Sequence, residues 1–162
     1  MEVRPATRDD WQGIRPVWHA VVAAGETYCF PPETDEATAR ELWMQPEPAE
    51  VYVATEGDRI IGTALLRPNL AGPGDHVATA AFMVDPAAGG RGTGRALAEH
   101  LLERARARGY QAMQLNTVVR TNTGALVLWR SLGFNVVGTV PRAFRHPQHG
   151  PVDLHIMHRP LT

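Results

Sequence analysis

The sequence predicts a mixed α/β domain in which helices cover both faces of a sheet whose early strands are antiparallel. Three features carry that expectation. Apolar residues recur with helical spacing at Trp11, Ile14, Trp18 and Val22, and again at Leu97, Leu101, Leu102 and Ala105. Between those stripes the pattern changes to short strand-like runs broken by turn residues. An apolar run ending in Phe82-Met83-Val84-Asp85 then passes through a glycine-rich turn directly into a helix. At 162 residues the chain is one domain's worth, read as a single unit over residues 1–162.

Taken in order, Glu2 to Ala6 reads as a first strand. Thr7 is placed to cap the following helix, with Asp10 three residues on, as in a capping box. That helix runs to Gly25 and carries Pro16, which predicts a kink or an interruption. A second helix starts near Thr34, with Asp35 and Glu36 in its first turn, and ends before Pro46. Val51 to Thr55 and Arg59 to Arg67 are strands around the turn Glu56-Gly57-Asp58, and His76 to Val84 is a third extended segment. After the helix that ends near Arg108 come a strand from Gln111 to Asn116 and a helix from Asn122 to Leu132 closed by Gly133. Phe134 to Val140 and Val152 to Met157 complete the strands, and Val140 to Pro147 reads as a loop between them.

Composition removes several function classes. Apolar residues make up 44% and charged residues 20%, the balance of a globular chain rather than a disordered one. Sixteen Lys and Arg against seventeen Asp and Glu leave a formal charge of -1, which argues against nonspecific nucleic-acid binding. A single cysteine excludes an internal disulfide and any zinc site built from several thiolates. His146, His149, His155 and His158 have no metal-ligand spacing, so no metal is expected. No apolar run approaches the length of a membrane span, and the amino terminus has no signal-like segment; a soluble cytoplasmic protein without a membrane partner is the expectation.

Gly89-Gly90-Arg91-Gly92-Thr93-Gly94 is the strongest chemical signal. The first amides of a helix have no acceptor within it, the helix dipole favours an anion there, and glycines let a ligand approach the backbone. Arg91 and Arg95 add positive charge beside the same opening. A pyrophosphate suits such a loop, whereas a tight structural turn is the competing reading. The run lacks the Lys-Ser/Thr ending of a nucleotide P-loop, and no suitably placed acidic residue supports a dinucleotide domain.

The segment from Val84-Asp85-Pro86 to Gly94 resembles the coenzyme A-binding motif of the GCN5-related N-acetyltransferase superfamily, and Asn122 through Phe134 resembles its second signature. The resemblance implies that family's fold, with a central sheet splayed at the cofactor site, and transfer of an acetyl group from acetyl-coenzyme A by direct attack of an amine. It assigns the pyrophosphate to Gly90, Arg91, Gly92, Thr93 and Gly94, with Arg95 beside them, and the pantetheine to the backbone of Phe82, Met83 and Val84. One of those strand amides would polarise the thioester carbonyl. Gly89 stands where the family usually has Gln or Arg. Trp129 stands where many members carry a tyrosine that protonates the leaving thiolate; an indole N–H cannot act as that acid. Gln114 to Val119 followed by Asn122 resembles a subset that includes the yeast acetyltransferase of proline analogues. By that likeness Asn116 supports the thioester or departing thiolate, Asn122 binds pantetheine, and Thr79 replaces a substrate-side asparagine. Helix capping by Asn122 and a satisfied strand end at Asn116 are the structural alternatives.

The acceptor cleft implied by the resemblance is walled by the segment between the first two helices, the central strand and the connection before the last strand. These supply Glu26 and His76 as candidate bases, with Thr79 beside them, and Tyr28, Phe30, Arg142 and Phe144 as candidate substrate contacts. Arg142 is suited to a substrate carboxylate. Cys29 reads as a pocket-lining thiol rather than a nucleophile. The expected activity is N-acetylation of a small-molecule or amino-acid-like amine, in a protein consistent with a homodimer. A larger acyl donor, a peptide or protein amine, or a noncatalytic coenzyme A-binding role are the alternatives.

Overall fold

A computed structural model describes residues 1–162. Its elements are β1 (Glu2–Pro5), α1 (Trp11–Ala24), α2 (Glu36–Trp43), β2 (Glu50–Glu56), β3 (Arg59–Pro68), β4 (Val77–Val84), α3 (Thr93–Ala107), β5 (Ala112–Val119), α4 (Thr123–Ser131), β6 (Asn135–His146) and β7 (Gly150–Pro160). The strands form one seven-stranded sheet in the order β1-β2-β3-β4-β5-β7-β6. All neighbours are antiparallel except β4 and β5, which run parallel. The parallel pair is joined only at Val77↔Ala112 and Ala78↔Met113. Beyond those residues the two strands part, and the sheet opens along its middle.

Strand alternation divides the core between the two faces. Ala64 and Leu66 of β3 join Leu97 and Leu101 of α3 and Trp129 of α4 on one face. Val53, Leu65 and Met83 join Trp11, Ile14 and Trp18 of α1 and Trp43 of α2 on the other. No helix is long and apolar enough to cross a membrane.

Two expectations change. α1 continues through Pro16 without interruption. The missing N–H removes one helical bond, but Ile14, Val17 and Trp18 around it are all buried, and that packing holds the helix together. β6 does not stop at Val140; it pairs with β7 as far as His146↔Gly150, so residues 141–146 are strand and not a loop over a site. A register shift between Val140 and Phe144 absorbs extra residues, with Arg142 at φ 54 and its N–H donating to Asp153 Oδ1 at 3.0 Å. Pro141 is tolerated because β6 is an edge strand.

The entry to α1 is fixed electrostatically. Arg4 holds Asp10 through two bonds of 2.7 and 3.0 Å, and the Thr7 N–H donates to the same carboxylate at 2.7 Å. The Arg4 hydrogen bond is the main cause that lowers the Asp10 pKa to about 2. Because the folded value lies below the unfolded one, this stabilisation is complete above about pH 4 and is lost as the pH falls through 2. With Arg4 partly in solvent, Asp10→Asn is expected to cost about 1 kcal/mol at pH 7. Urea unfolding of both proteins should show that difference narrowing by pH 3; a difference independent of pH would refute the assignment.

Candidate active site

A cleft of about 610 Å³ occupies the gap between β4 and β5. It reaches both faces of the sheet. On the α3/α4 face its wall includes Ala80, Phe82, Gly94, Asn122, Leu128 and Trp129; on the α1/α2 face it includes Tyr28, Phe30, Trp43, Leu65, Arg67 and Thr79. The Val77 carbonyl bonds Asn69 and the Asp85 amide bonds Ile61, so these two residues face β3. Alternation then turns the backbone groups of Ala80, Phe82 and Val84 toward the gap, a row of donors and acceptors released where β5 departs.

The glycine turn meets the cleft at Gly94. A Cβ there would lie 3.7 Å from Leu128 and 3.8 Å from Val84, so the start of α3 packs closely against both α4 and β4. Gly90 and Gly92 have φ of +77° and +79°, the left-handed region that glycine enters without strain. The first backbone bond of α3 is the Ala96 N–H to the Gly92 carbonyl, and no amide from Gly89 to Arg95 has an acceptor in the protein. This run of free donors at the positive end of a 15-residue helix fits the pyrophosphate of a coenzyme A. Thr93 contributes only its backbone: its side chain is buried, its hydroxyl has no partner, and its methyl group lies below Gly62. Arg91 is paired with Glu56 at 2.7 Å, and Arg95 bonds Ser131 Oγ at 2.7 Å, so both cations are held beside the loop.

At the centre of the cleft, Tyr28 reaches across from the segment between α1 and α2. Its hydroxyl accepts from the Phe82 N–H at 2.7 Å and donates to the Phe82 carbonyl. Burial pushes its pKa up to about 12, so at neutral pH it is a hydrogen-bond donor and not a base. Its ring stacks on Phe30, which in turn packs against Trp18. Trp129 sits with its ring centroid 4.9 Å from that of Phe82 and closes the opposite side. Asn122 caps α4, its Oδ1 accepting from Ala125 at 3.3 Å, while it also lines the cleft. Asn116 lines the cleft too, but its amide is engaged on both sides: Nδ2 donates to Asn69 and Oδ1 accepts from Gln114.

Four expected acceptor-side residues lie elsewhere. Glu26 is exposed and outside the cleft, because the chain turns inward only from Thr27 onward. His76 precedes the end of β4 that remains paired with β5, away from the gap. Arg142 is exposed on edge strand β6, and Phe144 packs against Val119 and Leu154. Thr79, Tyr28, Phe30 and Cys29 do line the cleft. Sequence reading missed Arg67, Gln45 and Trp43, which strand register and the end of α2 bring to the same wall. The only local signal was a cation ending the apolar run of β3.

Residues 16–134 match the family model described as acetyltransferase (GNAT) family. The chain belongs to this family. Acetyl-coenzyme A is the family's cofactor, and N-acetyl transfer its activity. A GCN5-related N-acetyltransferase from Kribbella flavida superimposes with a TM-score of 0.95 at 51% identity, covering 98% of this chain and 96% of that one. The yncA protein of Salmonella typhimurium, solved with its cofactor acetyl-CoA, gives a TM-score of 0.85 at 25% identity, covering 100% and 94%. The N-acetyltransferase aca1 of Schizosaccharomyces pombe is 30% identical over 129 residues, 79% of this chain and 58% of that protein. The chain spans between 16% and 58% of the length of the curated relatives it matches.

Proposed function

We propose that this protein transfers the acetyl group of acetyl-coenzyme A to the amine of a small molecule. The observation that carries this reading is a cleft passing through the sheet, with a loop of free amides at one mouth and an aromatic, largely uncharged chamber at the other. Acetyl-coenzyme A, when bound, supplies an activated acyl carbon. The amides from Gly90 to Gly94 would hold its pyrophosphate, and Arg91 and Arg95 reinforce that mouth. The backbone groups of Ala80 and Val84, beyond the residues that β5 pairs, would orient the pantetheine, while the Tyr28 hydroxyl holds both the N–H and the carbonyl of Phe82 between them. Asn122 is placed to add its side-chain NH2, since only its oxygen is used in the cap. Trp129 shapes the wall but supplies no proton. A cytoplasmic homodimer is part of the same proposal.

No carboxylate and no imidazole lines the cleft. The acceptor therefore has to react as its neutral amine, with water taking the proton. Below the pKa of the amine, kcat/KM is expected to rise about tenfold per pH unit with no inflection from an enzyme histidine. Thiol release from acetyl-coenzyme A across a panel of amines, amino acids and peptides, with mass detection of products, tests the reading. An acetylated small amine supports it. Products from peptides alone would move the acceptor to a polypeptide, and cofactor binding without any product would favour a noncatalytic role.

A further inference from the structure

Arg67 is the only formally charged residue on the wall of the cleft. It lies next to the end of β3, opposite Thr79 of β4. Leu65 belongs to the core beneath α1 and α2, and alternation puts Arg67 and Thr79 on that same face, away from α3 and α4. The guanidinium thus borders the chamber formed by Tyr28, Phe30 and Gln45, not the mouth that holds the glycine turn.

Arg67 is exposed at the rim of the cleft, where solvent reaches it and no anion of the protein pairs with it. The cations at the cofactor mouth are engaged, Arg91 with Glu56 and Arg95 with Glu99 and Ser131. Arg67 joins no ion pair of the protein and donates no side-chain hydrogen bond. A cation without a counter-ion at the edge of an apolar chamber selects for an anionic group on what enters. Its planar fork matches the two oxygens of a carboxylate. A simple ammonium finds no carboxylate in the cleft and meets repulsion from Arg67. The same field lowers the pKa of an amine held nearby and favours the neutral form that can attack.

We infer that the acceptor is an α-amino acid or a close analogue, with Arg67 binding its carboxylate and thereby setting specificity. This rests on the reading of the protein as an amine N-acetyltransferase. Arg67, on the wall, takes the place that sequence reading gave to Arg142, which strand β6 carries away from the cleft.

Matched acceptors test it: each amino acid against its amide and its decarboxylated amine, by thiol release with product mass. The wild-type protein should favour the carboxylate member by at least about thirtyfold in kcat/KM, an amount within reach of one charge-assisted pair. In Arg67→Gln that ratio should fall toward one, mainly through a raised KM for the amino acid. Arg67→Lys should recover part of it. The affinity of each variant for acetyl-coenzyme A, measured by calorimetry, establishes that it is folded. Turnover that ignores the carboxylate in the wild type, or a ratio unchanged in Arg67→Gln, overturns the assignment of Arg67 and leaves the transferase reading standing. Absence of turnover with every amine overturns both.

Discussion

Gly92→Asp is expected to weaken acetyl-coenzyme A binding by at least about a hundredfold while the fold survives. Gly92 sits at φ +79° as the residue before α3, and nothing lies within 4 Å of a Cβ placed there. Aspartate enters the left-handed region at a cost of about 1 kcal/mol, far less than a β-branched residue. Once there, its carboxylate competes for the amides of Thr93 to Arg95 and repels a second anion. Gly92→Asn has nearly the same shape without the charge and should lose about tenfold or less. Calorimetric titration at two salt concentrations separates the terms, since the gap between the two variants should shrink as ionic strength rises. Equal affinities for wild type, Asn and Asp would show that the turn does not hold the anion.

Gly62→Val should damage fold and cofactor binding together. A Cβ on Gly62 would meet Thr93 Cγ2 at 2.9 Å, Leu97 Cδ1 at 3.1 Å and the Met83 carbonyl at 3.3 Å. Thr93 is a stiff β-branched residue in the first turn of α3, so relief requires that turn to move away from the sheet. The expected cost is about 2–3 kcal/mol of stability, with at least tenfold weaker acetyl-coenzyme A binding because the glycine turn moves with the helix. Urea unfolding with and without coenzyme A reads both effects. A stability loss with unchanged affinity would mean that the turn keeps its geometry independently of α3.

The glycine turn and the start of α3 were legible in the sequence because their requirements are local. A turn with positive φ at Gly90 and Gly92 favours glycine strongly, and the free amides of α3 follow from where the helix begins. Asn122 could be placed for the same reason, since capping is a property of three or four consecutive residues. The acceptor side depends on register. Glu26 and Tyr28 are two residues apart, yet only Tyr28 reaches Phe82, 54 residues further along the chain. Arg67 looked like the end of a strand until the pairing with Thr79 placed it beside the gap. Arg142 and Phe144 were expected in a loop after a strand ending at Val140, and the register shift in β6 instead carries Pro141 inside an edge strand. Trp43 could be recognised as a packing residue, but not its hydrogen bond to Thr63, which ties the end of α2 to β3 beside the cleft.

The central claim is that acetyl-coenzyme A enters where β4 and β5 part, with its pyrophosphate on the turn before α3. Amide NMR of uniformly 15N-labelled protein during titration with acetyl-coenzyme A tests it directly. The largest shifts are expected at Gly90 to Arg95, followed by Phe82, Val84 and Asn122, with the amides of β1 and β6 nearly still. Shifts centred on another surface, or none at saturating cofactor, would contradict it.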